Sequence, residues 1–134
     1  MVGWIHLDSN GSLNLEEIDE SYLLIDFWAT WCGPCIQAMP KLQKLNTEFK
    51  DEDFAIVSIS VDEEPESVLS FQEKWEMPWY NAREPQQGDK IRKMGIMGVP
   101  HYILLGPDRK VLSHDQSLLR SEKVSEVVSK YLDR

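Results

Sequence analysis

The only two cysteines of the chain, Cys32 and Cys35, are separated by Gly33-Pro34. A disulfide between them would close a very short loop and remove little entropy from the unfolded chain, so the pair is poorly placed as a structural staple. At that spacing the thiols read instead as a redox couple or as half of a metal site. A helical pattern begins at the pair, which puts Cys32 at the helix N-terminus and Cys35 about one turn later. Unpaired N–H groups and the helix dipole stabilise an anion there, and the thiolate is the nucleophile of disulfide exchange. Cys32 is therefore expected to be exposed and to attack, with Cys35 more buried and resolving the mixed disulfide. Gly33 permits close approach of a substrate backbone. Pro34 suits a first helical turn, where its missing N–H would be unpaired anyway.

Apolar patterning supplies the elements that position this pair. An opening hairpin runs from Trp4-Ile5-His6-Leu7 through a turn at Asn10-Gly11 to Leu13 and Leu15. Residues Tyr22 to Trp28 form a nearly continuous apolar run, which fits a strand buried on both faces. Ala38, Leu42, Leu45 and Phe49 recur at helical spacing after the cysteines, with Pro40 inside the pattern and expected to kink it. A second buried strand, Phe54 to Val61, completes a βαβ unit with parallel strands and a right-handed crossover. Residues 62–98 read as a helical insert, with helices expected over Ser67–Trp75 and Gln87–Met94. The strand His101–Leu105, a turn over Gly106–Arg109 and the strand Lys110–Ser113 follow. Ser121 is the expected N-cap of a last helix, with Val124, Val127, Val128, Tyr131 and Leu132 on one apolar stripe.

The chain has 134 residues, which suits one domain spanning 1–134. Apolar residues make up 42% and charged residues 28%, a balance that excludes a disordered chain. With 14 Lys and Arg against 23 Asp and Glu, the net charge is −9, which argues against nucleic acid as a partner. No polybasic run is present for anionic lipid, and no apolar stretch approaches the roughly 20 residues needed to span a bilayer. The first residues have neither a basic nor an apolar segment of signal-peptide type. That leaves a cytoplasmic protein, or a mature or excised domain with a new start methionine.

The segment Ile25-Asp26-Phe27-Trp28-Ala29-Thr30-Trp31-Cys32-Gly33-Pro34-Cys35 resembles the active-site segment of thioredoxins. Pro40 matches that family's kink proline, and Gly98-Val99-Pro100 matches the glycine, apolar residue and cis-proline that face the thiols. The 38 residues separating Asp62 from Pro100, the opening hairpin and the Ser-Val-Asp-Glu segment make the chain most similar to the TlpA/ResA-like thiol–disulfide oxidoreductases. The resemblance implies a thioredoxin-like α/β fold, with a central mixed sheet flanked by helices on both faces. It implies catalytic roles for Cys32, Cys35 and Asp26, the last matching a buried acid that helps deprotonate Cys35. Trp31, Gly33, Pro34, Val99 and Pro100 match the substrate-binding positions, Val99 by pairing its backbone with a substrate strand. No cofactor or metal is implied. Partners would be protein disulfide substrates and a thiol electron donor, with the chain a monomer that inserts in no membrane. Placement in the bacterial cell envelope or periplasm follows from the resemblance alone.

Two positions depart from the thioredoxin pattern. Ser58 stands where thioredoxins carry a lysine beside the buried acid, so Asp26 is expected to have a raised pKa, its desolvation unopposed by a cation. His101 replaces the threonine that most relatives carry after the cis-proline, which would set an imidazole close to the thiols. Trp75, Trp79 and Tyr80 read as core of the insert, and Asp62-Glu63-Glu64-Pro65-Glu66 as a solvated loop and helix start.

A reductase is the favoured reading, because Gly-Pro between the cysteines resembles reducing members. An oxidase or isomerase would use the same site. A peroxiredoxin-type peroxidase needs a Thr-x-x-Cys pattern that Thr30-Trp31-Cys32 lacks. A metal- or partner-binding module would use Cys32, Cys35 and His101 without exchange chemistry.

Overall fold

The computed structural model describes residues 5–7, 11–13, 15, 18–84, 96, 98–115 and 124–132. A hairpin is present as β1 (Ile5–Leu7) and β2 (Gly11–Leu13), antiparallel with Ile5 opposite Leu13. Gly11, expected in the turn, instead opens β2 opposite Leu7, and Leu15 lies beyond the strand. Strand β3 (Tyr22–Trp28) carries six consecutive buried residues, Leu23 to Trp28, and β4 (Phe54–Ser60) is buried throughout. They are parallel neighbours in register, with Asp26 opposite Ser58 and Trp28 opposite Ser60. Such runs are stable only where both sheet faces are covered.

Helix α1 (Gly33–Phe49) makes the crossover between them, burying Cys35, Met39, Leu42, Leu45 and Phe49. Side chains three or four residues apart share a helix face. With Cys35 turned inward, that rule centres the stripe on Met39 and leaves Ala38 half-buried at its edge. Pro40 is exposed, and the helix continues through it to Phe49.

The region after β4 differs most from expectation. Helix α2 spans Pro65–Gln72 rather than residues 67–75, because Pro65 has the φ and the missing N–H of a first helical position. The chain then turns, and Tyr80–Arg83 forms strand β5, parallel to β4 with Ser58 opposite Asn81. Ala82 is the only fully buried residue of those four. So short a segment has no apolar signature, and pairing with β4 is what makes it a strand. The helix expected over 87–94 lies outside the described residues.

Strand β6 (His101–Leu105) runs antiparallel to β3, and β7 (Val111–Asp115) runs antiparallel to β6. The pairing shifts between Leu104 and Leu105, which starts β7 one residue later and extends it two residues further than the sequence suggests. Among the described residues, seven strands lie in the order β2-β1-β5-β4-β3-β6-β7. Helix α3 (Val124–Tyr131) buries Val128 and half-buries Val127 and Leu132. Tyr131, expected on the same stripe, is exposed at its edge. Ser121 lies outside the described residues. The fold is a mixed sheet with helices on both faces, the thioredoxin-like α/β architecture.

One cation ties the start of this fold to its far side. Arg109 donates to the carbonyls of Leu15, Ile18, Glu20 and Ser21 over 2.6–3.2 Å. Both Asp108 and Arg109 have positive φ, 59° and 58°, in the turn between β6 and β7. That left-handed backbone costs about 1 kcal/mol per non-glycine residue. The fan of charge-assisted bonds to carbonyls offsets it. Arg109→Ala should lower unfolding stability by about 3 kcal/mol, measured by urea denaturation, since it leaves several carbonyls without their donor. A loss below about 0.5 kcal/mol would mean the fan contributes nothing net.

Candidate active site

Strand register delivers three segments to one end of the sheet. β3 ends at Trp28 and leads through Ala29 to Cys32, while β4 ends opposite it at Ser60 and leads into Val61 and Asp62. β6 begins at His101 opposite Phe27 and runs antiparallel, so Val99 and Pro100 reach the same end. The Val99–Pro100 peptide bond is cis.

The loop entering α1 is held from β4. Val61 N–H donates to the Trp28 carbonyl at 2.8 Å. The Asp62 carboxylate accepts from the Thr30 backbone N–H at 3.1 and 3.3 Å, and from the Thr30 hydroxyl at 2.6 Å. Ser60 Oγ donates to the same carboxylate at 2.5 Å while accepting from the Asp62 N–H at 3.0 Å. Asp62 is therefore buried and is a positioning residue, not part of the solvated stretch that the sequence suggested. Glu63, Glu64 and Glu66 are exposed as expected. The signal for Asp62 lay in its place: an acid directly after a fully apolar strand, at the sheet end that also carries the cysteines.

Cys32 is the N-cap of α1, with extended backbone (φ −95°, ψ 105°) and its Sγ accepting from the Cys35 N–H at 3.2 Å. Its N–H is anchored on the Ala29 carbonyl at 3.1 Å. The two cysteines form a disulfide across Cα atoms 5.3 Å apart. Cys32 is only 5% exposed, against 2% for Cys35, so the expected exposure of Cys32 is corrected. The cap turns its sulfur inward onto the helix N-terminus.

Around the disulfide, Trp31 is 62% exposed. Gly33 and Pro34 are exposed, while Gly98, Val99 and Pro100 are half-buried. A Cβ added to Gly33 or Gly98 would meet nothing within 4 Å. Internal packing therefore does not require glycine at either position. His101 is buried, its ring edge-on to Phe27 with centroids 6.3 Å apart. Among the described residues no three of His, Cys, Asp and Glu group so as to hold a metal ion, which gives the Cys32, Cys35 and His101 alternative no geometric support.

Asp26 is 1% exposed, two residues before the end of β3. Burial pushes its carboxyl up from 3.8 to about 7, and the Ser58 hydroxyl, donating to Oδ2 at 2.9 Å, partly opposes this. Ser58 Oγ in turn accepts from the Trp79 indole N–H at 2.8 Å. Trp79, read from sequence as insert core, is half-buried and also makes this polar contact.

A carboxyl whose folded pKa exceeds its unfolded one binds its proton more tightly in the folded state. Its contribution is greatest below the unfolded value near 4 and is lost as pH rises through about 7. Asp26→Asn should thus stabilise the protein above pH 7, by up to about 4 kcal/mol, with the gain shrinking as pH falls toward 4. Urea denaturation of both proteins at pH 8 and pH 4.5 checks this. A pH-independent difference would show that the buried charge is not its cause.

A family model described as thioredoxin-like matches residues 19–111. The thiol–disulfide oxidoreductase ResA of Bacillus thuringiensis is 25% identical over 122 residues, 91% of this chain and 68% of that protein. A thioredoxin of Listeria monocytogenes is 32% identical over 117 residues, 87% of this chain and 89% of its own. Among solved structures, the thioredoxin domain of a Bacteroides vulgatus thiol–disulfide oxidoreductase superposes with a TM-score of 0.82 at 28% identity, covering 98% of each chain. A thiol:disulfide interchange protein from a Bacteroides species gives 0.82 at 27% identity, over 100% of this chain and 91% of that one. With its cysteines joined at the head of α1, as that chemistry requires, the chain belongs to the thioredoxin-like family of thiol–disulfide oxidoreductases.

Proposed function

We propose that the protein reduces disulfides in partner proteins, with Cys32 as nucleophile and Cys35 as resolving thiol. The observation that carries the assignment is the Cys35 N–H directed at Cys32 Sγ from the head of α1. In the reduced protein that donor and the helix dipole favour the Cys32 thiolate. The thiolate attacks one sulfur of a substrate disulfide, forming a mixed disulfide and expelling the first substrate thiolate. Cys35 gives its proton to the Asp26 carboxylate and attacks Cys32 Sγ, releasing the second substrate thiolate. The substrate gains two electrons, the Cys32–Cys35 disulfide forms, and the proton on Asp26 passes to solvent. A thiol donor restores the dithiol by the reverse exchange.

Trp31, Gly33, Pro34, Val99 and Pro100 form the substrate-binding face in this reading. The open space at Gly33 and Gly98 supports it, because a substrate backbone can approach where no side chain stands. Val99 would pair its backbone with an extended substrate segment. The reducing direction is supported by Gly-Pro between the cysteines, as in reducing relatives. The same resemblance to TlpA/ResA-like proteins supports work outside the bacterial cytoplasm. No helix among the described residues is long and apolar enough to cross a membrane.

Equilibration with dithiol buffers, read through Trp28 and Trp31 fluorescence, should place the couple near about −270 mV, the region typical of thioredoxin. A value above about −180 mV would make the protein a disulfide donor or isomerase instead. Cys35→Ser should accumulate mixed disulfides with partner proteins through Cys32 on non-reducing gels. Equal trapping by Cys32→Ser would reverse the two roles.

A further inference from the structure

The buried acid ends a chain of hydrogen bonds that crosses three neighbouring segments. The Trp79 indole N–H, just before β5, donates to Ser58 Oγ on β4 at 2.8 Å, and Ser58 donates to Asp26 Oδ2 on β3 at 2.9 Å. Ser58 is wholly buried and Asp26 nearly so, leaving water little access to either. An indole can only donate, whereas a hydroxyl has one proton and two acceptor positions. Trp79 therefore occupies an acceptor position of Ser58, and the Ser58 proton serves the carboxylate. Hydrogen bonds in series polarise one another, so the indole strengthens the hydroxyl as a donor.

We infer that Ser58 and Trp79 act as one positioning relay that holds Asp26 as a proton acceptor, in the place of a cationic side chain. The inference rests on the reading of Asp26 as acceptor for the Cys35 proton. The surroundings leave the relay a clear role. Tyr102 of β6 lies opposite Asp26, the cysteine pair stands at the same end of the sheet, and His101 is one residue along β6, hence on the opposite face beside Phe27. Burial raises the Asp26 carboxyl, and the Ser58 hydroxyl opposes it. A lysine would supply a full charge, whereas the relay supplies oriented dipoles. That keeps the carboxylate accessible near neutral pH without a second buried ion, whose desolvation costs several kcal/mol.

The test follows the Asp26 carboxyl by 13C NMR titration of the oxidised full chain. Ser58→Ala should raise the midpoint by roughly one to two pH units, the size of one lost hydrogen bond to the ionised form. Trp79→Phe keeps an aromatic ring at a half-buried position while removing the N–H together with part of the indole, so it should move the midpoint the same way by less. The decisive variant is the double one, Ser58→Ala with Trp79→Phe. It should titrate like Ser58→Ala alone, since the indole reaches the acid only through the hydroxyl. An unmoved midpoint in Trp79→Phe, or additive shifts in the double variant, would overturn the relay. The pH profile of disulfide reduction separates this from the reading beneath it. Its inflection should move with each NMR midpoint and vanish in Asp26→Asn. If Asp26→Asn leaves the profile unchanged, the acceptor role fails and the relay's catalytic meaning fails with it, whatever the NMR midpoints show.

Discussion

Seven in-register pairs join β3 to β4, and the chemistry of the site depends on that alignment. They set Asp26 beside Ser58 and bring the ends of both strands level at Trp28 and Ser60. From those level ends the Asp62 carboxylate reaches Thr30 and pins the loop that delivers Cys32. A slip of one residue would reverse the face on which every β4 side chain lies and part both pairs at once. The buried acid and the mounted Cys32 are thus two consequences of one register, enforced by the apolar residues around them.

The polar side chains that hold the loop into α1 are partnered with one another. Ser60, Asp62 and Thr30 form a closed set in which each hydroxyl and carboxylate has a defined partner. Such a network is stable in a low-dielectric interior only when its members are satisfied, and then it is rigid. Rigidity suits a site in which the Cys32 sulfur accepts from one particular N–H at 3.2 Å. Asp26 is the contrasting case. Its carboxyl costs stability when ionised, and the fold buries it with the Ser58 hydroxyl as its donor.

Arg109 performs a comparable task far from the thiols. Its guanidinium collects the carbonyls of Leu15, Ile18, Glu20 and Ser21, on the segment that leads into β3. The segment leading into β3 is thereby fastened to the β6–β7 turn. β3 is held along its length by β4 and β6 and just before its start by this fan.

Local sequence was enough to establish the two central strands, the helix opened by the cysteines and the hairpin, each through a short-range signal: a continuous apolar run, a three-to-four repeat, or Asn-Gly. The cis-proline position came from the resemblance of Gly98-Val99-Pro100 to thioredoxins. The spacing of Cys32 and Cys35 narrowed the chemistry to a redox couple or half of a metal site, and the resemblance of the surrounding segments favoured exchange. Tertiary structure decided what depends on partners distant in the chain. Tyr80–Arg83 became a strand only through pairing with β4. The Cys32 sulfur turned inward onto a helix N–H. Asp62 left the acidic loop for a buried network, and Trp79 reached Ser58 across 21 positions. A carboxylate or an indole N–H looks the same in sequence whether it faces water or another residue. Its role is set by which groups the fold brings within hydrogen-bonding distance, and a string of residue types does not encode that distance locally.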